Sequence, residues 1–248
     1  MNSLLSFKNI LKSYQGKQVL KNLDFSINQN SFVGLIGNNG CGKTTTIHIL
    51  CNLITYESGE YHFEEKKVTP QYVSFKNKLG IVLSKPYYIE EFSVVEYWKF
   101  VAKFQYVPKA EISVRIEDLL NLLDLQEDRK KPIKKFSSGN QMKVSLGAAL
   151  IHNPPTLILD EPFVNLDIAT TEKIMTILKG FKGKKTLFIT SHQLELVADL
   201  CDDFLIMEEG RIALTLHKSD YTTVEELKIV VKQQIVKEQI ISDISWLK

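Results

Sequence analysis

Arginine is scarce in this chain. Of 31 basic residues only Arg115, Arg129 and Arg211 are arginine, and lysine carries the rest against 29 acids. The formal net charge of +2 leaves no basic surplus of the kind that neutralises a phosphate backbone, which argues against a nucleic-acid partner. Cysteine is scarce too. Cys41, Cys51 and Cys201 are too few and too unevenly placed for a disulfide or zinc framework, which points to a reducing cytosol. Long apolar runs are missing, since none approaches the roughly 18 to 20 residues that span a bilayer. The opening MNSLLSFKNILKSYQGK lacks a basic n-region, a sustained apolar core and a small-residue cleavage site, so no export signal is expected. There is no internal repeat and no low-complexity segment. What remains is 248 residues with 44% hydrophobic and 24% charged content, the balance of a globular chain with one large domain or two small lobes.

The hydropathy pattern changes twice along the chain. In the first third, Leu5 and Phe7 alternate with polar neighbours, and Leu23, Phe25 and Ile27 share one face after a turn at Gln15-Gly16-Lys17. The run Phe32 to Ile36 is the kind found in a strand buried on both faces, and a helix from Thr44 to Leu53 follows it. Between about 86 and 153 the period becomes helical. Ser93 with Glu96 reads as a capping box ahead of Val94, Tyr97, Trp98, Val101 and Phe104, and Pro108 ends that helix. Ile112, Ile116, Leu119, Leu120 and Leu123 mark a second helix, and Ser138 with Gln141 reads as a capping box for a third. After Pro154-Pro155, strands at 157–159, 187–189 and 204–207 alternate with helices near 171–178 and 194–200, the signature of a largely parallel sheet. From Tyr221 onward the pattern fits either a helix capped by Thr223 and Glu226 or paired strands at 229–231 and 233–236.

Two motifs carry chemistry. Gly37-Asn38-Asn39-Gly40-Cys41-Gly42-Lys43-Thr44 matches G-x-x-x-x-G-K-[ST] between a buried strand and a helix. Its glycines let successive backbone N–H groups turn inward on phosphate oxygens, and the helix N-terminus adds partial positive charge. Lys43 supplies a mobile cation for the β- and γ-phosphates, and the Thr44 hydroxyl is a ligand for Mg²⁺. The second motif, Thr156 to Pro162, places Asp160 and Glu161 at the C-terminal end of a buried strand, where ligands of a parallel sheet bind. Asp160 is placed to hold Mg²⁺ through water, and Glu161 to polarise the water that attacks the γ-phosphate. His192 ends another apolar strand at the same end of the sheet, within reach of the γ-phosphate and the attacking water. The serine and free N–H groups of Phe136-Ser137-Ser138-Gly139-Asn140-Gln141 make an anion site at a helix start.

Together these motifs resemble the ATP-binding subunits of ABC transporters over about residues 4 to 215. In that family's terms GNNGCGKTT is Walker A, LILDE is Walker B, FSSGN is the signature sequence, NLD is the D-loop and His192 is the switch histidine. The resemblance implies a P-loop NTPase of the α/β class with a mostly parallel core sheet. It adds an N-terminal antiparallel β subdomain and an inserted helical lobe, with an ATPase domain at 1–215 and a tail at 216–248. It implies an ATP site of Tyr14 against adenine, Gly37 to Thr45 on the phosphates, and Ser137, Gly139 and Asp167 offered by a second copy. Two departures stand out. The signature reads Phe136-Ser137-Ser138-Gly139-Asn140 where the family has L-S-G-G-Q, though Ser137 and Gly139 are kept. Ser84 stands where the family has Gln or Glu touching Mg²⁺ or the water, and serine is too short for that reach.

The function implied is ATP binding and hydrolysis on Mg²⁺, powering transport through ATP-dependent dimerisation. An identical copy is the expected second subunit, and a separate transmembrane permease would dock on the helical lobe at the cytoplasmic face of the membrane. Export of a drug, peptide or lipid-like substrate is preferred, because the Ser84-to-Tyr88 stretch and the signature look like those of drug- and bacteriocin-export ATPases. Three alternatives compete: an ABC ATPase working on ribosomes or DNA, a nucleotide-gated regulatory subunit with weak hydrolysis prompted by Ser84, and, more remotely, a kinase-like P-loop enzyme.

Overall fold

The computed structural model describes residues 3–235. Strands β1 (Ser3–Tyr14), β2 (Lys17–Asn28), β4 (Ser58–Phe63) and β5 (Lys66–Lys67) form an antiparallel sheet in the order β2-β1-β4-β5. The second sheet holds β3 (Phe32–Gly37), β6 (Leu79–Val82), β7 (Thr156–Asp160), β8 (Thr186–Thr190), β9 (Asp203–Glu208) and β10 (Arg211–His217), in the order β10-β9-β3-β8-β7-β6. All neighbours in it are parallel except the antiparallel β9–β10 pair. The expected architecture is present: antiparallel subdomain, mostly parallel core and helical lobe.

The apolar runs explain the position of the central strands. Val33, Leu35, Ile158 and Phe188 face the antiparallel sheet, while Ile36, Leu157, Leu159, Leu187 and Ile189 face the other side. A strand covered on both faces has no polar side to present, so its sequence is continuously apolar. Phe25 of the first sheet and Phe188 of the second lie with ring centroids 5.9 Å apart and planes 6° from parallel. Helix α1 (Lys43–Leu50) packs Ile47, Ile49 and Leu50 into that same layer, so the turn preceding it is anchored on two sheets.

The helical lobe holds α2 (Val94–Phe104), α3 (Lys109–Leu122) and α4 (Ser138–Leu150). The Ser93–Glu96 capping box is formed in both directions, with Ser93 N–H donating to Glu96 Oε2 at 2.8 Å and Glu96 N–H to Ser93 Oγ at 3.3 Å. Helix α2 stops at Phe104, before Pro108, and the chain reverses through Tyr106 at φ 57°. Pro108 instead caps α3. The start of α4 also differs from its sequence reading. Ser137 is the cap, its hydroxyl accepting from Asn140 N–H at 3.3 Å, while Gln141 Nε2 turns back to the Phe136 carbonyl. Trp98 is fully buried, its indole N–H donating to the Val144 carbonyl at 2.8 Å. A Cβ on Gly147 would sit 2.1 Å from that ring, so the absent side chain lets α2 key onto α4.

Helices α5 (Ile168–Gly180), α6 (Leu194–Leu200) and α7 (Val224–Ile235) are the last helices of the described residues. The two readings of the end resolve to the helix. Thr223 Oγ1 accepts from Glu226 N–H at 3.2 Å, and Leu227 and Val231 enter the core one turn apart. The part of that expectation at Val236, like the rest of the tail to 248, lies outside the described residues. Among the described residues no helix is long and apolar enough to cross a membrane.

Candidate nucleotide site

The loop from Gly37 to Gly42 is shaped from behind as well as in front. A Cβ on Gly37 would lie 2.4 Å from the Met207 carbonyl oxygen, so only glycine lets β3 leave the sheet there. Gly42 begins α1 at φ 118°, a left-handed conformation that glycine adopts at no steric cost. Lys43 is nearly buried, and its ammonium donates to the carbonyls of Gly37 at 2.7 Å and Asn38 at 3.2 Å. Burial pushes the Cys41 thiol up, with the Lys43 charge acting in the opposite sense, so the thiol stays protonated beside the loop.

A cleft of about 350 Å³ opens over this loop, lined by Tyr14, Val19, Asn39, Gly40, Gly42, Lys43, Thr44, Thr45, Asp160 and Glu161. Gly37, Asn38 and Cys41 form the loop's scaffold rather than the cleft wall. Tyr14 is 44% exposed at the cleft edge, with the Lys12 ammonium 5.2 Å from its ring centre.

On the far wall Asp160 ends β7 with only 1% of its surface exposed. Thr190 on the adjacent strand donates its hydroxyl to Asp160 Oδ1 at 2.6 Å, and Ser84 donates to Oδ2 at 2.8 Å. Glu161 turns the chain at φ 51°, a left-handed conformation that costs a non-glycine residue about 1–2 kcal/mol. Its N–H is held by the Thr190 carbonyl and hydroxyl, both at 3.1 Å. The carboxylate meets His192, whose N–H donates to Oε2 at 3.2 Å and whose Nδ1 lies 2.9 Å from the same atom. The structure therefore brings Lys43, Thr44, Asp160, Glu161 and His192 to one end of the parallel sheet.

The profile of the family described as "ABC transporter" matches residues 20–164, more than half of the chain. The chain belongs to the ABC transporter family. An ABC transporter ATP-binding protein of uncharacterised role from Methanocaldococcus jannaschii is 33% identical over 212 residues, 85% of this chain and 76% of that protein. A lantibiotic transport ATP-binding protein of Streptococcus pyogenes is 31% identical over 237 residues, 95% of this chain and 99% of that protein. Among solved structures, an ATP-binding subunit of an ABC transporter superposes with a TM-score of 0.84 at 25% identity, covering 93% of this chain and 100% of that one. As a member of this family the chain is an ATP-binding protein and an ATPase.

The other residues expected at the site from the sequence form a second cluster. Ser137, Gly139 and Asp167 do not line the phosphate cleft. Gly139 packs on the loop before α5, where a Cβ would meet the Asn165 carbonyl oxygen at 2.5 Å. Asp167 caps α5, and its carboxyl is held below the usual range by the Thr170 backbone N–H and then the Thr170 hydroxyl. Lys143, almost buried on α4, reaches Asp167 at 3.9 Å. Neither that lysine nor Thr190 stood out in the sequence. A threonine closing an apolar strand beside His192 was the available signal for Thr190, and nothing local marked Lys143.

The donor set also bears on the metal. No group of three His, Cys, Asp or Glu side chains among the described residues could hold an ion by itself. One exposed threonine and one buried carboxylate lining the same cleft fit Mg²⁺, which keeps several waters and takes few protein ligands beside substrate phosphates.

Proposed function

We propose that this protein hydrolyses Mg-ATP as a head-to-tail pair of identical cassettes and so drives a separate membrane permease. The single observation that carries the reading is the division of the site into two surfaces. One bears Lys43, Thr44, Asp160, Glu161 and His192; the other bears Ser137, Gly139 and Asp167, with the Ser137 hydroxyl and the start of α4 exposed. Phosphoryl transfer needs charge stabilisation around the γ-phosphate and exclusion of bulk water, and a second copy closing over the cleft supplies both.

Lys43 holds the β- and γ-phosphate oxygens by its charge, and the loop N–H groups hold the rest. Tyr14 offers its ring to the adenine. Thr44 and, through water, Asp160 would hold the metal, which neutralises phosphate charge when bound. Glu161 orients the water and takes its proton, while His192 fixes the carboxylate from one side. Ser137 and the N-terminus of α4 in the second copy complete the anion cradle, and Asp167 lies at the seam.

Outward movement of a peptide, drug or lipid-like substrate is the preferred direction. It is supported by the near end-to-end match to a lantibiotic transport subunit. The helical lobe offers the permease a surface with exposed Phe100, Phe104 and Tyr106, whereas Trp98 and most of Tyr97 are occupied inside the lobe. The protein would then work at the cytoplasmic face of the membrane. Phosphate release by the wild type, Lys43→Ala and Glu161→Gln tests the catalytic part. Wild-type turnover with both variants near background supports it; equal slow release by all three overturns it. Co-purification with a polytopic membrane protein, rather than with ribosomal RNA, tests the transport part.

A further inference from the structure

We propose that Ser84 is a positioning residue that sets the Asp160 carboxylate for the metal, acting through a neighbour where a longer side chain would act directly. The inference rests on the Mg-ATPase reading. Asp160 sits between two strands: it is opposite Thr190 in β8, and Leu159 just before it is opposite Val82 in β6. The chain leaving β6 therefore passes Asp160 on the side away from Thr190. Each flank supplies one hydroxyl to one oxygen, Thr190 to Oδ1 at 2.6 Å and Ser84 to Oδ2 at 2.8 Å.

A carboxylate pinned at one oxygen still swings about its Cβ–Cγ bond, whereas donors at both oxygens fix its plane. The donors' chemistry matters as much as their placement. Hydroxyls are neutral, so they orient the carboxylate and leave its negative charge for a cation; an ammonium or guanidinium there would cancel it. Thr190 is fully buried and also holds the Glu161 N–H, so its hydroxyl serves the fold as well. Ser84 is exposed, and its hydroxyl is turned to Asp160. Outer-shell donors to metal-ligating groups commonly contribute 10- to 100-fold in metal affinity.

The test is calorimetric binding of the non-hydrolysable analogue AMP-PNP, in EDTA and in saturating Mg²⁺, to the full chain and to Ser84→Ala and Ser84→Thr. The expected result is equal affinity of all three in EDTA. Mg²⁺ should tighten binding as much in Ser84→Thr as in the wild type, and about tenfold less in Ser84→Ala. Thermal midpoints measured alongside establish that each variant is folded at the temperature of the binding measurement. A Mg²⁺ effect in Ser84→Ala equal to the wild type's overturns the proposal, as does Ser84→Thr being as impaired as Ser84→Ala. A wild type that binds no AMP-PNP under either condition overturns the ATPase reading itself, and this inference with it.

Discussion

Nδ1 of His192 lies 2.9 Å from Oε2 of Glu161, and the His192 N–H donates to that same oxygen. For the ring contact to be a hydrogen bond, Nδ1 must carry a proton. In a neutral ring Nε2 is then an acceptor and cannot donate to a phosphate oxygen. With Nδ1 turned to Glu161, Nε2 is the ring atom left to meet a phosphate oxygen, and it donates there only when it carries a proton as well. Replacing His192 by Ala is expected to lower kcat about 100-fold with little change in KM, because the loss falls on a group acting in the transition state. Steady-state phosphate release checks it, and a raised KM with unchanged kcat would assign His192 to binding alone.

Gly139→Ala is expected to separate binding from assembly. Its Cβ would meet the Asn165 carbonyl oxygen at 2.5 Å, which forces the start of α4 away from the loop that leads to Asp167. The phosphate cleft is lined by other residues, so ATP affinity of the monomer should stay within about twofold, against a tenfold step of 1.4 kcal/mol. ATP-dependent dimer formation, followed by light scattering, should be lost.

The lobe's rigidity has a stability test. Gly147→Ala places a methyl 2.1 Å from the Trp98 ring, an overpacking change expected to cost about 1–3 kcal/mol in urea unfolding. Trp98→Phe, which removes the donor to the Val144 carbonyl, is expected to cost about 1 kcal/mol for the bond besides any packing loss.

His152 gives a pH signature. Burial pushes its imidazole below the ordinary range, with the Leu79 carbonyl contact opposing, and Nδ1 is buried without a hydrogen-bond partner among the described residues. The unfolded chain takes up this proton at higher pH than the folded one. Stability is therefore full above the ordinary histidine range, falls as pH drops through it, and levels off below the folded value. Thermal midpoints of the wild type and His152→Gln, compared between about pH 8 and pH 5, should show a shallower acid-side fall in the variant.

What could be read from the sequence was whatever is local. The runs Phe32–Ile36 and Leu157–Leu159 announce doubly covered strands because burial on both faces tolerates no polar alternation. The loop from Gly37 to Thr44 is legible because its chemistry is concentrated in eight consecutive residues. The adjacent serines at 137 and 138 were ambiguous, since Gln141 stands three residues after one of them and the backbone selects the other. In the tail, the β-branched Val230 and Val231 kept a strand reading open beside the helix that Thr223 and Glu226 offered to cap, and Leu227 and Val231 packing on the core decides for the helix. Contacts between distant strands were out of reach. Ser84 could be judged too short for a metal, but not seen to meet Asp160, 76 positions away.

The most direct test of the account is the mass of Glu161→Gln in solution with Mg-ATP, measured by size-exclusion chromatography with light scattering. With hydrolysis blocked, two cassettes should stay closed on trapped ATP and elute at twice the 28.4 kDa of one chain, returning to monomer in EDTA. A variant that binds ATP yet remains at 28.4 kDa under both conditions would contradict it.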